Sequence, residues 1–169
     1  RVASAWPVAF DARAGARMFL SDLLDEKCVQ VGVEARDWRD AVRKSFSPLV
    51  ESGAVSEAYV ADAVAGVEKY GPYYVVCPHV ALPHARPESG ARRMAMGACI
   101  LSLPVSFGAR ENDPVRYLFP LSATEADGHL EVLARLVDLL SEERFLSSMD
   151  GAQAPVEVVE MIRDMERSL

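Results

Sequence analysis

The sequence predicts a layered α/β domain, and three observations lead to that prediction. The chain has 169 residues, which suits one domain, and half of them are hydrophobic, which is typical of a globular protein with a core. Segments of helical periodicity alternate with short β-rich runs, which favours one layered domain over separate helical and sheet regions. No internal repeat, low-complexity tract or linker interrupts this alternation.

The N-terminal segment, residues 1–17, has no clear period and is predicted to be an extension or irregular segment. The folded domain is predicted to span residues 18–169. The segment lacks a charged stretch followed by a long apolar run, so it is not interpreted as a signal peptide. A turn of helix is predicted around 18–24 and a short strand over 28–33.

Two helices are predicted next. Asp37 is a suitable N-cap for a helix from residue 38 to about 51, and Ser56 opens a second helix that Gly71 and Pro72 end. The second helix is predicted to bury one apolar stripe at helical spacing, made of Tyr59, Val60, Ala63, Val64 and Val67.

The middle of the chain reads as strands joined by loops. Residues 73–77, 80–82, 94–103 and 114–121 are β-rich or apolar runs of strand length, whereas 85–93 is polar and is predicted to be a loop.

The C-terminal part is predicted to be helical. Asp127 is the predicted cap of a helix that runs to Leu140, Ser141 begins a further helix, and Pro155 suits the first turn of the last one. The apolar face predicted for the first of these helices consists of Leu130, Leu133, Leu136, Val137 and Leu140.

Charge, hydropathy and cysteine usage exclude several classes of function. The net charge is −7 with no basic stripe, which argues against a nucleic-acid partner. No apolar stretch approaches the roughly 20 residues of a membrane span, so no membrane insertion is predicted. Cys28, Cys77 and Cys99 are odd in number and widely spaced, which argues against disulfides and favours a reducing cytoplasm.

His84 is the strongest candidate for chemistry. It directly follows the apolar run that Pro83 ends, and functional groups collect at the carboxyl ends of strands in α/β sheets. Pro83 restricts the backbone there. Three groups could reach the same place: the amides of Ala85 and Arg86 and the Arg86 guanidinium. A neutral imidazole could therefore accept a phosphoryl group, and these groups would stabilise the charge of that phosphoryl group. The alternative is a histidine that merely begins a loop.

The other two histidines have different expected roles. His129 lies at the predicted start of a helix, where unpaired amides favour an anion, so it could bind a phosphate carried by a second histidine or simply be a surface residue. His79 lies an odd number of residues before His84, which on an extended chain sends the two side chains to opposite faces. A structural or rim role is therefore expected for His79.

Metal and nucleophile sites of other kinds find little support. Cys77, His79 and His84 are suitable metal ligands, but no second Cys/His pair stands at ligand spacing. Cys77 and Cys99 are predicted to be buried in strands, which argues against a Cys–His nucleophilic site. Neither a nucleophile elbow nor a glycine-rich nucleotide loop is present.

These segments together resemble the enzyme IIA family of the bacterial phosphotransferase system, mannitol/fructose type (type 2), from about residue 29 to 162. The centre of the resemblance is Ala-Leu-Pro-His-Ala-Arg around His84, which is similar to the family's A-[LIM]-P-H-[AG] signature. His129 and the leucines after it resemble the family's H-L-x-x-L-x-x-L helix. The motifs 70–73, 84–88, 104–108 and 112–115 are similar to the ascorbate-specific branch.

The resemblance implies a fold and a set of partners. Family members have a mixed β-sheet with helices on both faces. The carrier HPr, phosphorylated on its own histidine, donates the group to the IIA histidine, which passes it to an enzyme IIB component. Carried over, His84 is the phosphoryl carrier and His129 the second active-site histidine. The implied protein is a phosphotransferase with no cofactor or metal; a homodimer is allowed.

Two positions depart from the family pattern. His79 stands where the family usually has a small residue, often glycine. Glu68 stands where mannitol and fructose members carry an arginine in the helix before the active strand, so Arg86 is the hypothetical replacement for that charge.

Three other functions remain open on the sequence. A regulatory domain of the same fold would use phosphorylation of His84 to control a transcription factor. A metal-dependent hydrolase would use His79, His84 and a carboxylate. A degenerate domain would bind partners without phosphorylation.

Overall fold

The computed structural model describes residues 19–169, with the side chains of 126–129 excepted. The expected boundary between residues 17 and 18 lies outside these residues. The described helices are α1 Leu20–Leu23, α2 Trp38–Glu51, α3 Glu57–Tyr70, α4 Ala126–Leu140, α5 Phe145–Asp150 and α6 Pro155–Ser168. The described strands are β1 Val29–Val33, β2 Val75–Cys77, β3 Val80–Ala81, β4 Ala95–Met96, β5 Ala98–Val105, β6 Val115–Leu118 and β7 Leu121–Ser122.

A five-stranded mixed sheet forms the centre of the fold. Its strand order is β1-β5-β6-β3-β2. The β1–β5 and β3–β6 pairs are parallel, whereas β5–β6 and β2–β3 are antiparallel. Strands β4 and β7 form a separate two-stranded antiparallel ladder. The predicted α/β class and the mixed sheet implied by the resemblance are both confirmed.

Each face of the sheet has its own hydrophobic core. Along β5, Cys99 and Leu101 pack in the core that α2 and α3 cover, whereas Ala98 and Ile100 pack in the core under α1, α4, α5 and α6. This alternation follows from the two-residue period of a strand. A sheet covered on both faces explains why its strands read as nearly continuous apolar runs.

The helix boundaries predicted by capping residues are confirmed for α2 and α3. The carboxylate of Asp37 accepts a hydrogen bond from the Asp40 amide at 2.8 Å, and the Ser56 hydroxyl accepts one from the Tyr59 amide at 3.2 Å. Gly71, with φ at +82°, follows the last residue of α3. These side chains satisfy amides that have no partner within the helix.

The two long apolar runs do not form single strands. Residues 94–103 divide at Gly97 into β4 and β5, and 114–121 divide at Pro120 into β6 and β7. The Gly97 amide donates to the Pro120 carbonyl at 2.9 Å, and a Cβ at Gly97 would lie 3.0 Å from the Cys28 carbonyl oxygen. The backbone is therefore closely approached at Gly97, where the chain passes from the β4–β7 ladder into the five-stranded sheet.

Helix α4 differs from the prediction in its start and its buried face. It begins at Ala126, so Asp127 lies within the first turn instead of capping it. Among its described side chains, those of Val132, Leu136 and Leu139 are buried. Leu130 and Val137, predicted to be buried, are exposed, because α1 and α5 contact a face rotated from the most apolar one.

A buried carboxylate joins the two ends of the described chain. Glu166 on α6 is 5% exposed and accepts hydrogen bonds from the amides of Leu20 at 2.5 Å and Ser21 at 3.0 Å. These amides belong to the first turn of α1 and have no partner within that helix.

Replacing Glu166 by glutamine is expected to lower the free energy of unfolding by about 1–3 kcal/mol, because one carboxylate acceptor becomes an amide donor facing an N–H group. Urea denaturation measures the change. Glu160→Gln, at an exposed position on the same helix, is the control and is expected to leave the stability nearly unchanged. Equal losses in the two variants would contradict the role of Glu166.

Candidate functional site

The segment 82–85 continues from β3, between the ends of the two flanking strands. The Leu82 amide donates to the Tyr74 carbonyl beside β2, at 2.8 Å. The Leu121 amide donates to the Pro83 carbonyl at 2.9 Å on the other side. His84 therefore stands beyond the carboxyl end of β3, as predicted.

Every carbonyl of this segment accepts a hydrogen bond. The Leu82 carbonyl accepts from His84 Nδ1 at 2.7 Å. The His84 carbonyl accepts from the Tyr73 hydroxyl at 3.4 Å, and the Ala85 carbonyl accepts from the Tyr59 hydroxyl at 3.2 Å. Tyr59 is fully buried, its hydroxyl also lies 2.7 Å from the Leu121 carbonyl, and burial raises its pKa to about 12. The backbone that carries His84 is thus held from several directions.

The hydrogen bond at Nδ1 defines the tautomer of His84. A carbonyl oxygen only accepts, so Nδ1 must carry the proton and Nε2 carries the lone pair in the neutral ring. Burial lowers the pKa of His84 below its ordinary value, while the hydrogen bond to Leu82 acts in the opposite direction. The neutral, nucleophilic ring is consequently favoured near neutral pH.

Two tyrosines bracket the imidazole. The Tyr73 and His84 ring centroids are 5.6 Å apart with an interplanar angle of 89°, and those of Tyr74 and His84 are 5.8 Å apart at 52°. Both tyrosines belong to a run that was predicted to be a strand, and their contact with His84 was not predicted. The signal available in the sequence was the Gly-Pro-Tyr-Tyr motif, which places two aromatic rings in a turn before an edge strand.

A depression of about 270 Å³ lies beside this bracket. It is lined by Asp62, Ala65, Gly66, Lys69, Tyr70, Tyr73, Ala85 and Arg86. Ala85 is buried, whereas the Arg86 side chain is 75% exposed and lies 3.9 Å from the Glu88 carboxylate. Such an exposed ion pair contributes little to stability, so Arg86 can change partner at low cost.

Glu68 does not belong to this depression. Its carboxylate accepts a hydrogen bond from Arg39 on α2 at 2.7 Å. The neighbouring Lys69 lines the depression instead. The structure therefore offers two cations beside the site, Lys69 and Arg86, and only Arg86 was predicted from the sequence.

His129 belongs to the first turn of α4, and its side chain lies outside the described residues. Its predicted role beside His84 stays a prediction.

His79 is remote from His84 along the strand, since the two residues flank β3 at opposite ends. It occupies the second position of the two-residue turn between β2 and β3, with φ at +72°, and its Nδ1 donates to the Pro114 carbonyl at 2.8 Å. A positive φ at the turn position after Pro78 favours glycine. This preference gives a physical reason for the small residue that is usual at this position in the enzyme IIA family that the sequence resembles.

The three cysteines are free thiols. Cys99 is buried, as predicted, and Cys28 is buried as well, whereas the burial predicted for Cys77 is wrong, because this residue of the edge strand β2 is only half-buried. Across the part of the chain that the structure describes, no three His, Cys, Asp or Glu side chains are grouped closely enough to hold a metal ion. In the same part, no helix has the length and apolar character needed to cross a bilayer.

Comparison with known proteins identifies similar chains. Residues 22–165 match the family described as the phosphoenolpyruvate-dependent sugar phosphotransferase system, EIIA 2. The mannitol-specific cryptic phosphotransferase enzyme IIA component of Escherichia coli K12 is 34% identical over 86% of this chain and 98% of its own length. The ascorbate-specific EIIA component of the same strain is 32% identical over 83% of this chain and 92% of its own.

Solved structures show the same likeness. The solution structure of the mannitol-specific cryptic enzyme IIA, CmtB, from Escherichia coli has a TM-score of 0.78, 34% identity, and coverage of 86% of this chain and 98% of its own. An Escherichia coli complex of enzyme IIAMtl with phosphorylated enzyme IIBMtl has a TM-score of 0.73 at 23% identity and covers 84% of this chain and 99% of the other. The last match shows the fold alone.

Proposed function

Because the chain belongs to the EIIA 2 family of the phosphoenolpyruvate-dependent sugar phosphotransferase system, we propose that it carries its phosphoryl group on His84. Components of this family are phosphotransferases with a phosphohistidine intermediate. The observation that carries the assignment to His84 is its Nδ1–H bond to the Leu82 carbonyl, which presents Nε2 as the nucleophilic nitrogen.

The proposed step is an in-line transfer between two histidines. The Nε2 lone pair attacks the phosphorus of phosphorylated HPr while the donor N–P bond breaks and its electron pair returns to the donor ring. The new N–P bond makes the His84 ring cationic, and the Leu82 carbonyl, which accepts the Nδ1 proton's hydrogen bond, stabilises that charge. Neither a metal nor an added proton is needed for the balance.

Groups after His84 support charge stabilisation on the phosphoryl oxygens. Within the described residues, no oxygen accepts a hydrogen bond from the amides of Ala85 and Arg86. The Arg86 guanidinium is exposed and lies 3.9 Å from the Glu88 carboxylate. Amides and a guanidinium are the donors that a transferring phosphoryl group requires. His129 remains the proposed second histidine.

The proposed acceptor is an enzyme IIB component. The structural neighbour solved with phosphorylated enzyme IIB has the same fold, which supports this partner class. We place the protein in the cytoplasm, where phosphorylated HPr would be the donor. For the sugar, the Tyr70–Tyr73 motif and the ascorbate-specific relative support an ascorbate-type system.

One experiment tests the proposal. The purified chain is incubated with phosphorylated HPr, the modified residue is mapped by mass spectrometry, and IIB components of ascorbate and mannitol type are then added. We expect one phosphate on His84 and faster discharge to the ascorbate-type component. The absence of phosphate on the chain would refute the carrier function. Faster discharge to the mannitol-type component would refute the assignment to an ascorbate-type system.

Replacing Arg86 by alanine is expected to slow phosphorylation on the order of tenfold, because a cation that meets the developing charge is lost. Rapid-quench measurement with labelled donor gives the rate. Arg92→Ala removes an exposed arginine of the same loop and is expected to leave the rate unchanged. If both variants react like the wild type, Arg86 has no part in the transfer.

A further inference from the structure

Tyr73 contacts the reactive histidine through both its ring and its hydroxyl. The ring is nearly perpendicular to the imidazole at a centroid distance of 5.6 Å, and the hydroxyl lies 3.4 Å from the carbonyl oxygen of His84 itself. Perpendicular aromatic pairs at this distance have a preferred geometry and an attraction beyond the area they bury. The contact therefore restrains the plane of the imidazole as well as its position.

The surroundings of Tyr73 fix its own orientation. Its ring packs against Tyr74 with centroids 5.0 Å apart, and a Cβ placed on Gly66 of α3 would lie 3.1 Å from the Tyr73 hydroxyl oxygen. The absence of a side chain at residue 66 gives the hydroxyl its space. Burial, and then the nearby Asp62 charge, raise the pKa of Tyr73, so the hydroxyl remains a donor at neutral pH.

We propose that Tyr73 is a positioning residue for phosphotransfer: its ring holds the His84 imidazole in the orientation from which Nε2 meets the incoming phosphorus. The inference rests on the proposed phosphorylation of His84. The Leu82 carbonyl holds Nδ1, and the perpendicular Tyr73 ring packs against the imidazole and restrains the orientation of its plane. In-line transfer depends steeply on such orientation.

Tyr70 provides a control because it is the other tyrosine of the same depression. It is 71% exposed, against 49% for Tyr73, and the Lys69 ammonium lies 5.1 Å from the centroid of its ring. If Tyr73 only provided contact surface for a partner protein, its replacement should affect the transfer rate in the same way as replacement of Tyr70. If Tyr73 orients His84, its replacement alone should lower that rate.

The test compares Tyr73→Leu, Tyr73→Phe and Tyr70→Leu in single-turnover transfer from phosphorylated HPr across donor concentration and pH. Tyr73→Leu is expected to lower the saturating rate on the order of tenfold. Its half-saturating donor concentration should change less than about twofold, and NMR titration should show the His84 pKa moving up towards its ordinary value as water enters. Tyr73→Phe keeps the ring and should restore most of the rate, whereas Tyr70→Leu should keep the saturating rate.

Gly66→Ala adds a test that does not depend on the stability of the Tyr73 variants. Alanine favours the helix, so α3 should not weaken, yet its Cβ would lie 3.1 Å from the Tyr73 hydroxyl oxygen, and the Tyr73 side chain must shift by a few tenths of an ångström. We expect slower transfer at unchanged or higher stability in urea. A wild-type saturating rate in Tyr73→Leu, or a loss seen only as weaker donor binding, would overturn the inference. Failure of the wild-type chain to accept phosphate would instead overturn the proposed function.

Discussion

Replacing His84 by asparagine is expected to reduce phosphorylation by phosphorylated HPr more than about a thousandfold, to the limit of detection. Asparagine keeps a polar side chain of similar reach but has no nitrogen lone pair that can form a phosphoramidate. The fold should survive, since His84 is only half-buried and the backbone bonds of Pro83 and Ala85 remain. Mass spectrometry of the intact protein under alkaline conditions, which preserve phosphohistidine, measures the outcome.

The same substitution at His79 provides the matched control. Asparagine tolerates the positive φ of that turn position, so His79→Asn should fold and accept phosphate at the wild-type rate. Phosphate that persists in His84→Asn and disappears in His79→Asn would reverse the assignment. Phosphate that persists in both variants would show that another residue accepts it, and His129, whose role is still a prediction, would be the next residue to replace.

Replacing Gly90 by alanine is expected to destabilise the fold by about 3 kcal/mol and to slow phosphotransfer. Gly90 has φ at +132°, a backbone region closed to other residues, and a Cβ there would overlap the Ser56 hydroxyl oxygen. The Gly90 carbonyl accepts the Ser56 amide at 3.0 Å, and Ser89 donates to Asp62 at 2.5 Å. These bonds hold the loop that carries Arg86 against α3, so strain at Gly90 also moves the site.

Two companion variants separate the causes of this loss. Gly53 also has positive φ, at +77°, but nothing lies within 4 Å of a Cβ placed there, so Gly53→Ala should cost only about 1 kcal/mol. Adding Ser56→Gly to Gly90→Ala removes the overlap and should recover part of the stability. Urea denaturation gives the values, and rapid-quench kinetics gives the transfer rate. Equal losses for Gly53→Ala and Gly90→Ala would show that the loop contact contributes nothing.

Features that depend on residues close together in the sequence were predicted correctly. The first residues of α2 and α3 were predicted correctly, because Asp37 and Ser56 accept bonds from amides only three positions ahead. The stripe Tyr59–Val67 was predicted for the same reason, since helical period is a property of neighbouring residues. The position of His84 at the end of β3 follows from a short apolar run ended by a proline.

Predictions that depended on distant partners were less complete. The apolar pattern of α4 suggested Leu130 as a core residue, yet Leu130 is 66% exposed, because α1 and α5 determine which face is covered. Likewise, the pairing of Glu68 with Arg39 depends on how α2 lies beside α3. The apolar pattern and the charges of one helix do not specify which segment from elsewhere in the chain packs against it.

The sequence by itself determined the alternation of helices and strands, the capped ends of α2 and α3, and the placement of one histidine after β3. Only the tertiary structure decided that His84 holds its proton on Nδ1, that Tyr73 and Tyr74 bracket its ring, and that Tyr59 secures the loop from α3. The physical reason is separation along the chain: Tyr59 lies 62 positions from Leu121, whose carbonyl it binds. Such a contact exists only after α3 has packed on the strands.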